Sequence, residues 1–341
     1  LRKQKMASNN INDNLGGVEI PTGEPILGVK NFSKWFPINN SWNRQTGWLK
    51  ALDNVSLTVN KGEIVGVVGE SGCGKSTLGK TIMGIHKLTE GSVNFEGSEI
   101  GHLNPSESRQ LRRRLQYTYQ DPGASLDPRW KIGKSLHEPL EIHTTLTKDE
   151  REERVKAILK AVNLPEAHLD LYPHEISGGQ QRRIGLARIL TLHPSLIVLD
   201  EPTSGLDVSV QATILNLFLD LQKQFNLTYI FISHDLSVVR MICDRVAVMY
   251  LGKIVEINET EKLFSDPRHP YTQSLLSAIP VIGGKKVTEN FWLEGEPPDP
   301  SNLPSGCSFR TRCPKKTDQC LQSPPPLINT DGEHSVACYN T

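Results

Sequence analysis

No run of apolar residues in this 341-residue sequence approaches the roughly 18 needed to cross a bilayer as a helix. The two strongest, EIVGVVG from Glu63 and SLIVLD from Ser195, are of strand length. An excess of either charge is also missing, since 38 Lys and Arg balance 38 Asp and Glu. Nothing global therefore advertises nucleic acid or an anionic surface as a partner. The opening LRKQKMASNN, which begins at Leu1 rather than Met, carries charge without a following apolar region. A secretory signal is thus not expected. The expected location is cytoplasmic, with any membrane role exerted through a partner. Cysteine is scarce until the end: Cys73 and Cys243 stand alone, whereas Cys307, Cys313, Cys320 and Cys338 crowd the last stretch. In a reducing compartment such crowding favours a metal site over a disulfide framework.

The length suggests roughly two domains. Residues 1–25, rich in Asn and Gly, read as a flexible tail. ALDNVSLTVNKGEIVGVVG then gives two strands about a Lys-Gly turn, the second running into a glycine-rich loop and the helix KSTLGKTIMGI. Between about residues 120 and 189 the character becomes helical, with Thr147 and Glu150 in capping-box positions before an amphipathic run. The dense basic run RQLRRRLQ from Arg109 reads as a solvated helix face. SLIVLDEP and LTYIFISHD are wholly apolar strands of the kind found in buried parallel sheets. From residue 261 the chain turns Pro-rich and irregular. The reading is an α/β core over residues 26–119 and 190–260, a helical insert over 120–189, and an extension over 261–341.

GESGCGKST, residues 69–77, fits the phosphate-loop pattern G-x-x-x-x-G-K-[ST] between a strand and a helix. Gly69, Ser71, Gly72, Cys73, Gly74 and Thr77 would then cradle phosphates on backbone N–H groups, while Lys75 supplies a point charge and Ser76 a hydroxyl for Mg²⁺. Asp200 closes an apolar strand, where it can hold the Mg²⁺ shell, and the adjacent Glu201 can polarise an attacking water. His234 ends another apolar strand and should emerge at the same sheet edge to sense phosphate. The amide of Gln120, in YTYQDP, can reach Mg²⁺ or the water.

EISGGQQRRIGLARIL, from Glu175, starts a helix oddly. Ser177 and Gln180 have capping-box spacing, yet Gly178 and Gly179 weaken its first turn by roughly 1 kcal/mol each. Bare backbone N–H groups approaching an anion would explain that cost.

In this order the quoted segments resemble the ATP-binding subunits of ABC transporters: GESGCGKST the Walker A, YQDP the Q-loop, ISGGQQ the signature, LIVLDE the Walker B, SGLD with Asp207 the D-loop, and SHD the switch histidine. The resemblance covers roughly residues 26–260, with Ile176 where Leu is usual. It implies a RecA-like P-loop ATPase core with an inserted helical subdomain. It further implies two such subunits sandwiching two ATP molecules, each site pairing one Walker A with the partner's signature. An aromatic residue upstream of Walker A is expected to stack on adenine; Phe36 is the best match, with Trp35 an alternative.

The segment DPRHPYTQSLLSAIP resembles the C-terminal part of dipeptide and oligopeptide importer ATPases, and GCSFRTRCPKKTDQC with VACY resembles their four-cysteine element. Several members carry a [4Fe–4S] cluster there. Zinc, or no metal, stays open beside it, although the spacing lacks the tight C-x₂-C pairs of zinc ribbons. SLDPRWKIG resembles the second of two paralogous ATPases, which implies a heterodimer. The resemblance thus implies a peripheral ATPase at the cytoplasmic face of the membrane, powering peptide import through two permease subunits fed by an extracytoplasmic solute-binding protein. Other readings are a soluble ABC ATPase outside transport and an importer ATPase for another solute, such as nickel. A nucleotide kinase would not explain SGGQ followed by DEPTSGLD.

Overall fold

The computed structural model describes residues 23–101, 103–119, 125–279, 295–332 and 334–341. Strands β1 (Pro25–Asn39) and β2 (Gln45–Asn60) form a long antiparallel hairpin. The Lys-Gly turn at residues 61 and 62 then carries the chain into a different sheet, where β3 (Ile64–Val68) is wholly buried. After the glycine-rich loop come α1 (Lys75–Ile82), β4 (Glu90–Phe95) and β5 (Ser98–Glu99). The last two complete an antiparallel sheet of order β2-β1-β4-β5.

Helix α2 (Pro105–Arg114) starts on a capping box between Asn104 and Glu107. Arg109, Arg112, Arg113 and Arg114 are exposed on it, as a solvated face requires. The chain returns through β6 (Leu115–Thr118) and enters the helical insert, α3 (Ile132–His143), α4 (Lys148–Ala161) and α5 (Gly178–Leu190). These three helices bury Leu136, Leu140, Val155, Ile158 and Ile184 in one cluster. The Thr147–Glu150 box forms, with Thr147 N–H donating to Glu150 Oε2 at 2.7 Å.

Alternation of strand and helix resumes with β7 (Leu196–Asp200), α6 (Val208–Phe225), β8 (Thr228–Ser233), α7 (Leu236–Ile242), β9 (Arg245–Tyr250) and β10 (Lys253–Glu259). Three short helices follow, α8 (Thr260–Ser265), α9 (Pro270–Ser277) and α10 (Gln319–Gln322), then β11 (Ile328–Asp331) and β12 (His334–Val336). The main sheet runs β11-β12-β10-β9-β3-β8-β7-β6, parallel from β9 to β6.

Because strand side chains alternate, each central strand feeds two cores. Ile64, Ile197, Leu199, Tyr229 and Phe231 face the helical side, whereas Val65, Val67, Val198, Ile230 and Ile232 face the antiparallel sheet. This two-sided burial is why these strands read as unbroken apolar runs.

The C-terminal extension departs from expectation. Rather than being irregular throughout, it lays β12 antiparallel on β10, pairing Glu256 with Val336. The edge of β10 presents backbone donors and acceptors that a short added strand satisfies. Three residues are too few for a readable alternation, so the sequence hid the strand.

Helix α1 sits close on the sheet at Gly79. A Cβ there would lie 2.8 Å from Val198 Cγ1 and 3.1 Å from Tyr117 Cε2. Gly79→Val should therefore overpack this seam and lower stability by about 1–3 kcal/mol, read from urea unfolding. Unfolding at the parental midpoint would show the seam to be loose.

Candidate active site and cysteine element

Parallel strands with right-handed crossovers deliver their C-terminal ends to one edge of the sheet. At that edge β3 runs into residues 69–77, β7 into Asp200 and Glu201, and β8 into His234. Gly74 caps α1 with φ of 108°, and a Cβ there would meet Ala51 O at 2.4 Å, so the loop closes only with glycine. Ser71 and Gly72 lie on the exposed rim, while Cys73 is buried beneath, where burial raises its thiol pKa. The Lys75 ammonium is buried and donates to Gly69 O at 2.8 Å and Glu70 O at 2.9 Å. These two carbonyls hold its charge at the centre of the loop.

Ser76, one turn into the motif, donates its hydroxyl to Asp200 Oδ1 at 3.0 Å. The second oxygen, Oδ2, accepts from the Tyr117 hydroxyl of β6. Burial, then the bond to Asp200, holds the Tyr117 phenol far above its ordinary pKa, so it remains a donor at any working pH. Sequence reasoning missed Tyr117; the signal was a phenol in a strand beside an acidic strand end. Glu201 turns out of β7 in the left-handed region, φ 48°, with its N–H anchored on Ile232 O at 2.9 Å. A non-glycine residue held there costs roughly 1–2 kcal/mol, and such strain gathers at active sites. The turn aims the carboxylate at His234, whose Nδ1 lies 3.3 Å from Glu201 Oε1. Lys75, Ser76, Asp200, Glu201 and His234 thus gather at one edge. A seryl hydroxyl on a carboxylate that together would hold a cation, a buried lysine in a glycine-rich loop, and a carboxylate next to an imidazole are the residue types that phosphoryl transfer uses.

Residues 52–204 match the ABC transporter family, and residues 255–320 match the C-terminal region of oligopeptide/dipeptide transporters. The chain is 48% identical over 320 residues to the oligopeptide transport ATP-binding protein AppF of Bacillus subtilis, covering 93% of this chain and 97% of AppF. The dipeptide transport ATP-binding protein DppF of Haemophilus influenzae is 46% identical, with 94% and 98% covered. The chain belongs to the ATP-binding proteins of ABC transporters. Among solved structures, the ATP-binding cassette MJ0796, described as a dimer in a post-hydrolysis state bound to ADP and Pi, superposes with a TM-score of 0.61 at 28% identity. That superposition covers 69% of this chain and 98% of the cassette.

The other residues singled out for the ABC site lie further off. Ser177 caps α5, and its capping box with Gln180 is formed in full. The box is therefore a real part of this helix start and not merely a coincidence of spacing. Gly178 and Gly179 have open space where a Cβ would go, so nothing among the described residues requires glycine there. Among the described residues no hydrogen bond or ion pair joins residues 177–180 to the phosphate loop. Arg182 instead ties this helix to Pro202 O and Ser204 O, ahead of Asp207. Asp207 caps α6 by backbone alone, leaving its carboxylate exposed and uncommitted to the cap. Phe36 is half-buried in β1 against His86, with Lys34 Nζ 4.7 Å from its ring centroid. Trp35 packs on Trp48. Gln120 lies outside the described residues.

Cys307, Cys313, Cys320 and Cys338 are free thiols within electrostatic reach of one another. Cys307 N–H donates to Cys320 O at 2.8 Å. The sulfurs of Cys307, Cys313 and Cys338 accept backbone N–H groups of Phe309, Lys315 and Asn340. Burial raises all three thiols, Cys307 to about 11, and the neighbouring sulfurs add to the effect. Among the described residues no group of three or more His, Cys, Asp or Glu side chains is placed to hold a metal ion.

Tyr117→Phe would leave Oδ2 of the buried Asp200 without its donor. The expected cost is about 1–3 kcal/mol in urea unfolding, and a change under about 0.5 kcal/mol would mean the bond is replaced.

Proposed function

We propose that this chain hydrolyses ATP to power import of short peptides through separate membrane subunits. The observation that carries it is the edge cluster of Lys75, Ser76, Asp200, Glu201 and His234 in a chain whose C-terminal region matches oligopeptide/dipeptide transporters. Lys75 binds the β and γ phosphates; Ser76 and Asp200, with Gln120, are the residues to hold Mg²⁺, whose charge offsets that of the phosphates. Glu201 takes the proton of the attacking water, and His234, beside it, orders the γ-phosphate. Phe36 is the aromatic assigned to adenine.

The signature completes the site from a second subunit. Ser177, Gly178, Gly179 and Gln180, with Asp207, face the partner's ATP, where bare N–H groups and the helix dipole favour the γ-phosphate. The unfilled space at both glycines supports this reading, as does the dimeric state described for MJ0796 bound to ADP and Pi. The partner is a paralogous ATP-binding subunit, so the functional unit is a heterodimer on two permease subunits served by a solute-binding protein. Among the described residues no helix is long and apolar enough to cross a membrane, which fits a peripheral subunit at the cytoplasmic face. The names of AppF and DppF support peptides as cargo.

The cysteine element is assigned a [4Fe–4S] cluster. Four thiols, three of them accepting backbone N–H bonds, supply the ligand complement and its donor shell. Such a cluster spreads its thiolates over four irons, so they need not converge on one point as zinc ligands do. When bound it would staple a segment with little core of its own.

Two measurements test these readings. Glu201→Gln, assembled with its partners, should still bind ATP but turn over about a hundredfold or more slower, because a general base contributes at least that much. Parental steady-state turnover would sink the mechanism. Anaerobically purified chain should be brown with about four irons per chain; colourless protein with less than about one iron removes the cluster.

A further inference from the structure

Glu70, second in the phosphate loop, is bound from two directions by residues beyond the ATPase motifs. Its carboxylate meets the Arg312 guanidinium fork-on-fork, Nη1 to Oε2 at 2.7 Å and Nη2 to Oε1 at 3.0 Å. Its backbone N–H donates to the Tyr271 hydroxyl at 2.8 Å. Arg312 stands immediately before Cys313, and its side chain is only 5% exposed. Tyr271 packs behind the loop against Tyr250, tilted, and edge-on against Phe309 of the cysteine element, at ring-centroid distances of 4.6 and 5.5 Å. All three rings are buried. The cysteine element is thus keyed into the floor of the nucleotide site.

The charge arithmetic gives this contact a consequence. Glu70 O is one of the two carbonyls that hold the Lys75 ammonium, so the Glu70 carboxylate sits on the loop that must receive a polyphosphate. An unpaired carboxylate there repels the ligand, whereas a bidentate guanidinium cancels the charge and fixes the side chain in one geometry. We propose that Arg312 is a positioning residue for nucleotide binding. By pairing Glu70 it cancels that carboxylate's charge and leaves the Lys75 ammonium as the loop's net charge, while Tyr271 separately anchors the loop's first turn through the Glu70 N–H. The folded cysteine element is then a condition for tight ATP binding, although among the described residues no hydrogen bond joins its cysteines to the loop.

The test is equilibrium titration of the full chain with a fluorescent ATP analogue, with thermal unfolding followed in parallel. Arg312→Gln strips the countercharge and should weaken binding by about tenfold. Glu70→Gln with Arg312→Gln removes both charges and should bring affinity back to within about threefold of the parent. Parental affinity in Arg312→Gln overturns the proposal, as does a double variant no tighter than the single one, since lost packing would not be rescued by a second loss. Should Arg312→Gln fail to fold, Glu70→Gln alone decides. It leaves the guanidinium uncancelled beside the phosphates and should bind more tightly; equal or weaker binding overturns the proposal.

Discussion

A carboxylate buried at the end of a strand is expensive unless donors surround it, and Asp200 is such a group, 6% exposed. Its two oxygens are met by Ser76 of α1 and Tyr117 of β6. The three contributing elements are far apart in sequence, and satisfying one anion fixes their relative heights along the sheet edge. Ionised carboxylates offer about four acceptor sites, and two neutral donors leave room for a cation. Thus the interaction that holds these elements in register also leaves Asp200 with acceptor capacity for a cation. Glu201 follows directly from this placement: with Asp200 fixed, the next residue must turn sharply, and its left-handed backbone brings the carboxylate to His234.

The chemistry was legible in the sequence wherever it rested on unbroken apolar strands. β3, β7 and β8 are buried on both faces, so each reads as a short continuous run, and the residue after each run marks the sheet edge. That logic puts Lys75, Asp200, Glu201 and His234 at one sheet edge, and the structure places them there. Where a contact depends on pairing distant segments, no such signal exists. Arg312 and Glu70 are 242 residues apart, and a guanidinium among surface-like polar residues gives no sign of a buried partner. Tyr117 sits in a four-residue strand too short to show a period. β12 escaped for the same reason.

The helix start at Ser177 shows a different limit. The capping-box spacing predicted a real box, and the box explains Ser177 and Gln180 by satisfying two orphan donors at the helix start. It does not explain the glycines, whose Cβ positions face open space. The spacing alone poses that question, and the formed box answers the half of it that concerns Ser177 and Gln180.

The C-terminal extension buries Leu263, Phe264, Tyr271, Leu276 and Phe309 in the helical-side core rather than in one of its own, and further staples hold it there. Three kinds are visible. β12 borrows the edge of β10. The buried carboxylate of Glu256 accepts N–H bonds from Arg268 and His269, and lies 2.8 Å from His334 Nε2, which pins both ends of the extension to the core. His269 is neutral at working pH because burial drops its pKa to about 4, so its Nδ1 can accept the Tyr271 N–H that starts α9. Phe309 then closes the aromatic cluster with Tyr271 and Tyr250. Each staple engages the ATPase core itself, and the last two run through Tyr271 to Glu70 of the phosphate loop. An extension anchored in this way shares Tyr271 and Arg312 with the loop that grips Lys75. Cys313, next to Arg312 in the chain, therefore stands one residue from a side chain bonded to the phosphate loop.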